Sequence, residues 1–298
     1  MPIECTLCGS RKLGTLFRSR HLRAPQGALP DQDYLRCGDC GLIVLRPLLS
    51  EQELQHRYAS ASLPAGVEFG DALDLARREV ASIRLSKQGA RPRFLRLASE
   101  IYDRALDGMK PGTVLDIGCG IGVELLRLNT KGWSIYGTDY NPVAIAALNE
   151  IFPGHFRTSG AGAAEWDRTF DVIMLNQVLE HLPNPKELLR RLRRLLEPSG
   201  RLVIVTPNAA SWARSLFGPY WVQYWPPEHV ALYGPAQIAR VLSDSDWRPQ
   251  SIETYAAPGT DYALSLRQLL RLPLESSGLE KLTWFPLAWS GSFVGRGS

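Results

Sequence analysis

Two pairs of cysteines in the first forty residues constrain the N-terminal part of this chain more strongly than any other feature. The pairs are Cys5-Thr-Leu-Cys8 and Cys37-Gly-Asp-Cys40, with 28 residues between them. Each pair places two sulfurs across a tight turn, and a glycine after it lets backbone amides turn toward the thiolates. The spacing predicts that Cys5, Cys8, Cys37 and Cys40 bind one zinc ion in a small ribbon.

Disulfides or unpaired thiols are the alternative to zinc. The N-terminal sequence Met-Pro-Ile-Glu lacks a basic region followed by an apolar stretch, so no secretory signal is predicted. We therefore expect a reducing, cytoplasmic setting, in which disulfides are rare. Four thiolates leave the ion no open coordination position, so its predicted role is structural. The fifth cysteine, Cys119, is not expected to bind metal.

Length, composition and charge indicate a globular protein of about two domains. The chain has 298 residues, of which 45% are hydrophobic and 21% are charged. A net charge of +4 argues against a nucleic-acid partner. No apolar run is long enough to span a membrane. The tail from Leu264 to Trp289 mixes apolar and basic residues, which predicts packing onto the main domain, with weak membrane-surface contact as the alternative.

Strand and helix patterns alternate through the middle and late parts of the chain. The predicted strands cover 113–117, 133–138, 155–158, 170–175, 201–206 and 251–255, and the predicted helices include 142–151, 185–196 and 235–243. This alternation predicts an α/β fold with a parallel sheet covered on both faces. We expect a zinc ribbon at 1–50, a helical linker or cap at 51–110, a cofactor-binding domain at 111–260 and an amphipathic tail at 261–298.

A glycine loop in mid-chain is the main candidate for cofactor binding. It reads Asp116-Ile-Gly118-Cys119-Gly120-Ile-Gly122, follows a predicted strand and opens a helix, so bare backbone can approach a ligand. The spacing Gly-x-Gly-x-Gly differs from the dinucleotide fingerprint and predicts a ligand without a pyrophosphate. Asp139 ends the next predicted strand, where a carboxylate can accept both hydroxyls of a ribose.

Together with Asn176 to Pro185, these motifs resemble class I S-adenosylmethionine-dependent methyltransferases over roughly residues 95–256. The resemblance implies a Rossmann-like sheet and S-adenosylmethionine as the cofactor. It also implies roles for single residues: backbone of Gly118 and Cys119 at the methionine part, Asp139 at the ribose, Tyr140 at the adenine face, Asn176 and Gln177 near the sulfonium, and Asp116 orienting the loop that contains Gly120 and Gly122. Where such proteins often carry an acid beside adenine, this chain has Ser159-Gly-Ala-Gly-Ala163.

The cysteine pairs and the cofactor motifs together resemble a subgroup with an N-terminal zinc ribbon, found among sugar, polysaccharide and natural-product methyltransferases. In that subgroup a Glu-His step carries the general base, which implies a catalytic role for Glu228 and His229. A histidine that only hydrogen-bonds to a backbone carbonyl is the alternative. Trp221, Tyr224 and Trp225 either stack an acceptor or fill the core.

Three functions are open from the sequence. The main hypothesis is O- or C-methylation of a small-molecule or saccharide intermediate in biosynthesis. An RNA methyltransferase whose ribbon grips RNA is disfavoured by the low charge and by the lack of an Asn-Pro-Pro-Tyr motif. A non-catalytic cofactor-binding module is the third, because the acid beside adenine is missing and the last strand of a class I methyltransferase sheet is in question. We expect that this strand is absent, forms a stub at Phe293-Val294, or is replaced by the tail.

His181, which follows Glu180, is a weaker candidate for the general base than His229.

Overall fold

The structure is a computed structural model. It describes residues 3–19, 31–50, 52–53, 69–85, 101–160, 166–255, 262, 265–266, 268–270 and 292–296. The chain forms two compact units, each built from separate segments. The first unit comprises Met1–Leu49, Leu179–Glu187 and Val205–Phe293, and the second comprises Ser50–Val178, Leu188–Ile204 and Val294–Ser298. The four predicted domain ranges stay a prediction.

An antiparallel sheet of four strands organises the first unit. With strands numbered in chain order, it contains β1 (Leu13–Arg18), β2 (Asp33–Cys37), β3 (Ile43–Arg46) and β9 (Ala231–Leu232), in the order β1-β2-β3-β9. In the last pair, Ile43 lies opposite Leu232, and Val44 lies opposite Ala231. A segment from late in the chain therefore completes the sheet of the cysteine-rich ribbon.

Aromatic side chains from the ribbon and from the late segment share the core of this unit. The rings of Tyr34 and Tyr224 lie 4.7 Å apart, and those of Trp221 and Tyr224 lie 5.3 Å apart. The buried cluster comprises Tyr34, Ile43, Leu45, Ala209, Ala213, Trp221, Tyr224 and Leu232. Trp221 and Tyr224 therefore fill the core, which is one of the two roles that the sequence left open.

The described part of the first unit also contains two helices, a strand and two short 3₁₀ helices. They are α5 (Trp212–Phe217), α6 (Pro235–Ser243), β10 (Arg248–Glu253) and the 3₁₀ helices Leu179–His181 and Gly218–Tyr220. Helix α6 begins with proline, which has no amide hydrogen. Proline suits this position because an amide in the first turn has no acceptor within the helix. Its buried residues Ile238, Val241 and Leu242 recur at helical spacing and give it one apolar face.

A parallel sheet organises the second unit. It contains β4 (Thr113–Ile117), β5 (Ser134–Asp139), β6 (Phe156–Thr158), β7 (Phe170–Asn176) and β8 (Leu196–Val205). Strand β4 pairs in parallel with β5 and β7, and β5 pairs in parallel with β6. These five strands follow the order β8-β7-β4-β5-β6. The last strand among the described residues, β11, is Ser292–Arg296. The predicted α/β fold class is confirmed.

Helices α1 (Phe69–Leu85), α2 (Val123–Asn129) and α3 (Pro142–Ile151) belong to the second unit, while α4 (Lys186–Leu195) lies across the boundary between segments. Asn141 caps α3, because its side-chain oxygen accepts hydrogen bonds from the amides of Val143 and Ala144. Proline at the first position of α3 adds a second start signal.

Most predicted elements agree closely with the structure. Strand 113–117 and helices 142–151 and 235–243 match to the residue, whereas β8 begins at Leu196, five residues before the predicted start. Strand β11 corresponds to the stub that Phe293-Val294 predicted. Most of the predicted amphipathic tail lies outside the described residues. Within the described part of the chain, no helix has both the length and the apolar character that crossing a bilayer requires.

Candidate cofactor and metal sites

The four paired cysteines form one sulfur cluster. Their sulfurs all lie within 4.8 Å of one another, with 3.5 Å between those of Cys5 and Cys40 and 3.5 Å between those of Cys8 and Cys37. A disulfide would bring two sulfurs to about 2.05 Å, so these are thiols. Zinc–sulfur bonds of about 2.3 Å in a tetrahedron separate the sulfurs by about 3.8 Å. The donor set and spacing therefore fit one zinc ion.

Both cysteine turns use the same backbone hydrogen bond. The amide of Gly9 donates to the carbonyl of Cys5 at 2.8 Å, and the amide of Gly41 donates to the carbonyl of Cys37 at 2.9 Å. The two glycines have φ of 73° and 77°, which side-chain-bearing residues rarely adopt. Burial acts to raise the pKa of Cys37, but hydrogen bonds from backbone amides and from Cys8 and Cys40 bring it to about 7. Burial raises the pKa values of Cys5 and Cys40 in the same cluster.

The glycine loop has little room around its first glycine and open space at its second. Gly118 and Gly120 have φ of 75° and 53°. A Cβ atom on Gly118 would lie 2.7 Å from Cγ2 of Val178, whereas one on Gly120 would have no neighbour within 4 Å. The amides of Gly118 and Cys119 both donate to the carbonyl of Thr138, at 2.7 and 2.9 Å. These two amides therefore hold the loop on β5.

Asp139 is positioned beside this loop by two backbone amides. Its Oδ2 accepts from the amide of Gly120, and its Oδ1 accepts from the amide of Asn141, both at 2.8 Å. Burial raises its pKa, and these amides oppose the shift. The amide of Tyr140 also acts on this carboxyl. Because a carboxylate has about four acceptor positions, at least one is left for a hydroxyl donor. The geometry thus fits the predicted contact with a ribose.

Several buried polar atoms near the carboxyl ends of the parallel strands have no hydrogen-bond partner among the described residues. They are Oδ1 of Asp116, Oγ1 of Thr138, Oδ1 of Asn176 and Nε2 of Gln177. Ile117 lies opposite both Thr138 and Leu175 in the sheet, so these strand ends meet at one edge. Buried polar atoms destabilise a fold unless they are hydrogen-bonded. The unpartnered atoms therefore indicate a polar ligand at this edge.

Two of these residues have unusual environments. Burial raises the pKa of Asp116 well above its ordinary value, and the charges of Glu124 and Asp139 add to the shift. Gln177 has a φ of 55°, which is rare for a residue with a side chain and occurs at functional sites. A ligand that supplies hydrogen bonds to these atoms would offset the cost of burying them, so the site fits a polar ligand.

Tyr140 lies against the segment that lacks the expected adenine acid. A Cβ atom on Gly160 would be 2.0 Å from the Tyr140 hydroxyl oxygen, so only glycine leaves room for this ring. The amide of Ser159 donates to the carbonyl of Asp139 at 2.9 Å, which ties the segment to the end of β5. Residues 161–165 lie outside the described residues.

In the first unit, His229 has one ring nitrogen bound to backbone. Its Nδ1 donates to the carbonyl of Gln223 at 2.8 Å, which directs the lone pair to Nε2. Burial lowers its pKa to about 4, so the ring is neutral near pH 7. The backbone amides of Glu228 and His229 donate hydrogen bonds to the carbonyl of Trp225, at 3.0 and 2.9 Å. The sequence analysis gave a hydrogen bond to a backbone carbonyl as the alternative to a catalytic role for His229. That hydrogen bond is present at Nδ1.

Glu180 and His181 lie beside His229, an association that the sequence analysis missed. Ligand atoms of the three residues lie within 4.8 Å of one another, and the two imidazole rings are 4.9 Å apart. Burial raises the pKa of Glu180 to about 8 and lowers that of His181 to about 3, with His229 adding to the latter shift. The dipeptide Glu-His occurs twice, at 180–181 and 228–229, and this repeat is the sequence signal that could have suggested the cluster.

Comparison with known proteins agrees with the cofactor loop. Residues 89–252 match a family model described as a methyltransferase domain. The chain belongs to this methyltransferase family. The match includes the glycine loop, Asp139, and both Glu-His dipeptides.

Curated relatives of this chain are similar to it over part of their length. A ubiquinone biosynthesis O-methyltransferase of Pseudomonas paraeruginosa is 34% identical over 108 residues, which are 34% of this chain and 47% of the relative. One of Sodalis glossinidius is 27% identical over 158 residues, which are 49% of this chain and 64% of the relative. The chain therefore spans about half to two-thirds of the length of these relatives.

Solved structures confirm the fold of this chain. Magnesium protoporphyrin IX methyltransferase from Synechocystis has a TM-score of 0.51 at 14% identity, covering 84% of this chain and 100% of that chain. The 1,6-didemethyltoxoflavin-N1-methyltransferase of Burkholderia thailandensis has a TM-score of 0.50 at 16% identity, covering 93% of this chain and 100% of that chain.

Proposed function

We propose that this chain transfers a methyl group from S-adenosylmethionine to an oxygen or carbon atom of a small-molecule or saccharide intermediate in biosynthesis. The supporting observation is the set of unpartnered buried polar atoms around the glycine loop, which includes Asp116, Asn176 and Gln177. The cofactor, when bound, supplies the methyl group. The protein's own contribution is to bind the donor, orient it and exclude water.

The proposed contacts follow the predicted roles. Asp139 accepts the ribose hydroxyls, Tyr140 covers the adenine face, and Asn176 with Gln177 lies toward the sulfonium. Because the amides of Gly118 and Cys119 are already bonded to Thr138, the loop offers the methionine part its carbonyl side. A carbonyl oxygen is an acceptor, which suits an ammonium group. Gly120 and Gly122 keep the loop open, and Asp116 orients it.

The donor site is tested by calorimetric titration with S-adenosylhomocysteine. We expect Asp139→Asn to weaken binding about tenfold or more, because ionised acceptors form the stronger hydrogen bonds. Asp107→Asn, at an exposed position, is the control and should bind as the wild type does. If the wild-type protein binds no S-adenosylhomocysteine at millimolar ligand, the proposed activity is wrong.

A small-molecule acceptor is favoured over RNA. The curated relatives are named as O-methyltransferases of ubiquinone biosynthesis, so a small organic acceptor fits this part of the family. The net charge of +4 provides little attraction for a polynucleotide. Methyl transfer to a panel of phenols, sugar nucleotides and RNA, with isotope-labelled donor, distinguishes the acceptor classes. Transfer only to RNA would overturn this assignment.

We also propose roles for the first unit. His229 accepts the proton of the acceptor through Nε2, and Glu228 holds the segment that carries it. Zinc bound by Cys5, Cys8, Cys37 and Cys40 is structural, because four thiolates fill its coordination sphere. The cytoplasmic location and a weak membrane contact through residues 261–298 stay predictions.

A further inference from the structure

We propose that Glu180, His181 and His229 form a second cation site, separate from the four cysteines. It would bind a divalent transition-metal ion, such as Mn²⁺, through one carboxylate oxygen and two imidazole nitrogens. The site lies entirely within the first unit and adds a ligand that the proposed methyl transfer does not require.

The spacing of the three side chains fits a shared ion. One ligand atom from each lies within 4.8 Å of the other two. Metal–nitrogen and metal–oxygen bonds of about 2.0–2.2 Å place ligands on one ion about 3–4 Å apart. The rings of His181 and His229 meet edge to face, with an interplanar angle of 81°. Small side-chain rotations would therefore bring all three ligands onto one ion.

The Glu180 carboxylate provides an independent indication of a ligand. Its side chain is 0% exposed. Its Oε2 accepts a hydrogen bond from Oγ1 of Thr206 at 2.8 Å, whereas its buried Oε1 has no partner within the described part of the chain. A buried carboxyl oxygen without a hydrogen bond destabilises the fold unless a ligand or a metal ion binds it. A divalent ion on Oε1 would supply the missing interaction.

Hydrogen bonds to backbone orient both histidines, as is usual for metal ligands. His229 donates from Nδ1 to the carbonyl of Gln223, which leaves Nε2 as the ligand atom. The ring of His181 hydrogen-bonds to the backbone of Glu228. Such outer contacts fix the tautomer and orientation of a ligating imidazole. The hydroxyl of Thr206 likewise orients the Glu180 carboxyl by donating a hydrogen bond to Oε2.

The backbone holds the two ligand-bearing segments together. The amide of Val230 donates to the carbonyl of Glu180 at 2.8 Å, directly after His229. The hydroxyl of Tyr34 donates to the carbonyl of His229 at 3.1 Å. Glu180 and His181 sit on a 3₁₀ turn, and His229 precedes β9. The three ligands are therefore positioned before any ion binds.

The ligand types indicate which ions the site would accept. Two imidazoles and one carboxylate suit transition metals such as Mn²⁺, Fe²⁺, Co²⁺ and Zn²⁺ better than Ca²⁺ or Mg²⁺, which prefer oxygen ligands. Three protein ligands leave positions for water or for an oxygen of a small molecule. A bound ion would occupy Nε2 of His229, so direct proton acceptance by His229 belongs to the metal-free state of this site.

The test is a titration of the full chain, loaded with one zinc ion, with Mn²⁺. The electron paramagnetic resonance signal of free Mn²⁺ decreases as the ion binds. Zinc fills the cysteine cluster, and Mn²⁺ is a poor competitor for thiolates. We expect one Mn²⁺ per chain in addition to zinc. Absence of Mn²⁺ binding, with no second zinc or cobalt ion taken up, would overturn the proposal.

Variants locate the ion. Glu180→Gln keeps the shape and removes the charge, and it should weaken Mn²⁺ binding about tenfold or more. His155→Gln is the matched control, because Nδ1 of His155 also bonds a backbone carbonyl, that of Ile135 at 2.8 Å. This control should retain wild-type affinity.

If circular dichroism shows that Glu180→Gln is unfolded, the Mn²⁺ affinities of His229→Gln and His181→Asn are compared with that of His155→Gln instead. Wild-type affinity in the folded ligand variants would contradict the site. Binding of S-adenosylhomocysteine is measured separately, so failure of the proposed methyl-donor site would leave this result unaffected.

Discussion

The two glycines Gly118 and Gly120 share a positive φ but differ in their surroundings, so alanine should affect them differently. Gly118→Ala adds a contact of 2.7 Å with Val178 to the cost of a left-handed backbone. The backbone alone costs about 1–2 kcal/mol for an L-residue. We therefore expect the free energy of unfolding to fall by more than about 2 kcal/mol in Gly118→Ala and by about 1 kcal/mol in Gly120→Ala, measured by urea denaturation.

Gly120 faces open space, so its alanine variant also tests the donor site. We expect Gly120→Ala to weaken S-adenosylhomocysteine binding by more than its small stability loss would suggest. Equal stability of the two variants would show that Val178 moves aside. Unchanged binding in Gly120→Ala would place the ligand away from this part of the loop.

The buried carboxyl of Asp116 should make stability depend on pH. Its native pKa is raised well above the ordinary value by burial, with Glu124 and Asp139 adding to the shift. Between its unfolded pKa of about 3.9 and its raised native pKa, the native state binds more protons than the unfolded state. Its contribution to stability is therefore fully present at low pH and is lost as the pH rises through the native value.

Urea unfolding at several pH values checks this. Asp116→Asn should remove the fall in the free energy of unfolding that Asp116 causes as the pH rises. The variant therefore gains stability relative to wild type as the pH increases. Asp107→Asn changes an exposed carboxyl and should follow the wild-type profile. A constant difference between Asp116→Asn and wild type at all pH values would contradict the prediction.

Which site residues can be predicted from sequence depends on how local their signal is. The glycine loop and Asp139 were predictable because they directly follow neighbouring strands. The cysteines were predictable because each pair fixes its own turn. Glu180 and His229 are 49 residues apart and meet through the hydrogen bond between Val230 and Glu180, so no local pattern placed them together.

The same distinction holds for whole elements. Helix α3 has an Asn cap and a proline at its start, and its predicted bounds match the structure. Strand β9 has only two residues, Ala231–Leu232, and exists because it pairs with β3. A strand of this kind has no periodicity of its own to detect. The late return of the chain to the ribbon was therefore not predictable from pattern.

The cap of helix α3 can be tested directly. Asn141→Ala removes an acceptor that serves the amides of both Val143 and Ala144, at 2.9 and 3.2 Å. We expect the free energy of unfolding to fall by about 1 kcal/mol. Asn141→Ser keeps a side-chain oxygen and should lose less. Equal losses in the two variants, measured by urea unfolding, would show that the cap contributes little.

At the scale of the molecule, the cysteine ribbon and the Glu228–Tyr233 region belong to one unit. Side chains from later in the sequence hold both cysteine turns: Lys186 donates to the carbonyl of Leu7 at 3.0 Å, and Gln237 donates to the carbonyl of Cys40. Tyr34 of the ribbon supports His229 in turn. The cysteine ribbon thus supports the backbone that carries Glu228 and His229.

Removing one zinc ligand should therefore destabilise more than the ribbon. Cys8→Ser is expected to abolish the zinc found per chain by mass spectrometry and to lower the first thermal transition by at least about 5 °C. Loss of a structural ion costs several kcal/mol, and about 1 kcal/mol shifts the midpoint by about 2–4 °C at this domain size. Cys119→Ser is the control, because this buried thiol lies outside the sulfur cluster. Equal zinc content in both variants would contradict the assignment of the four ligands.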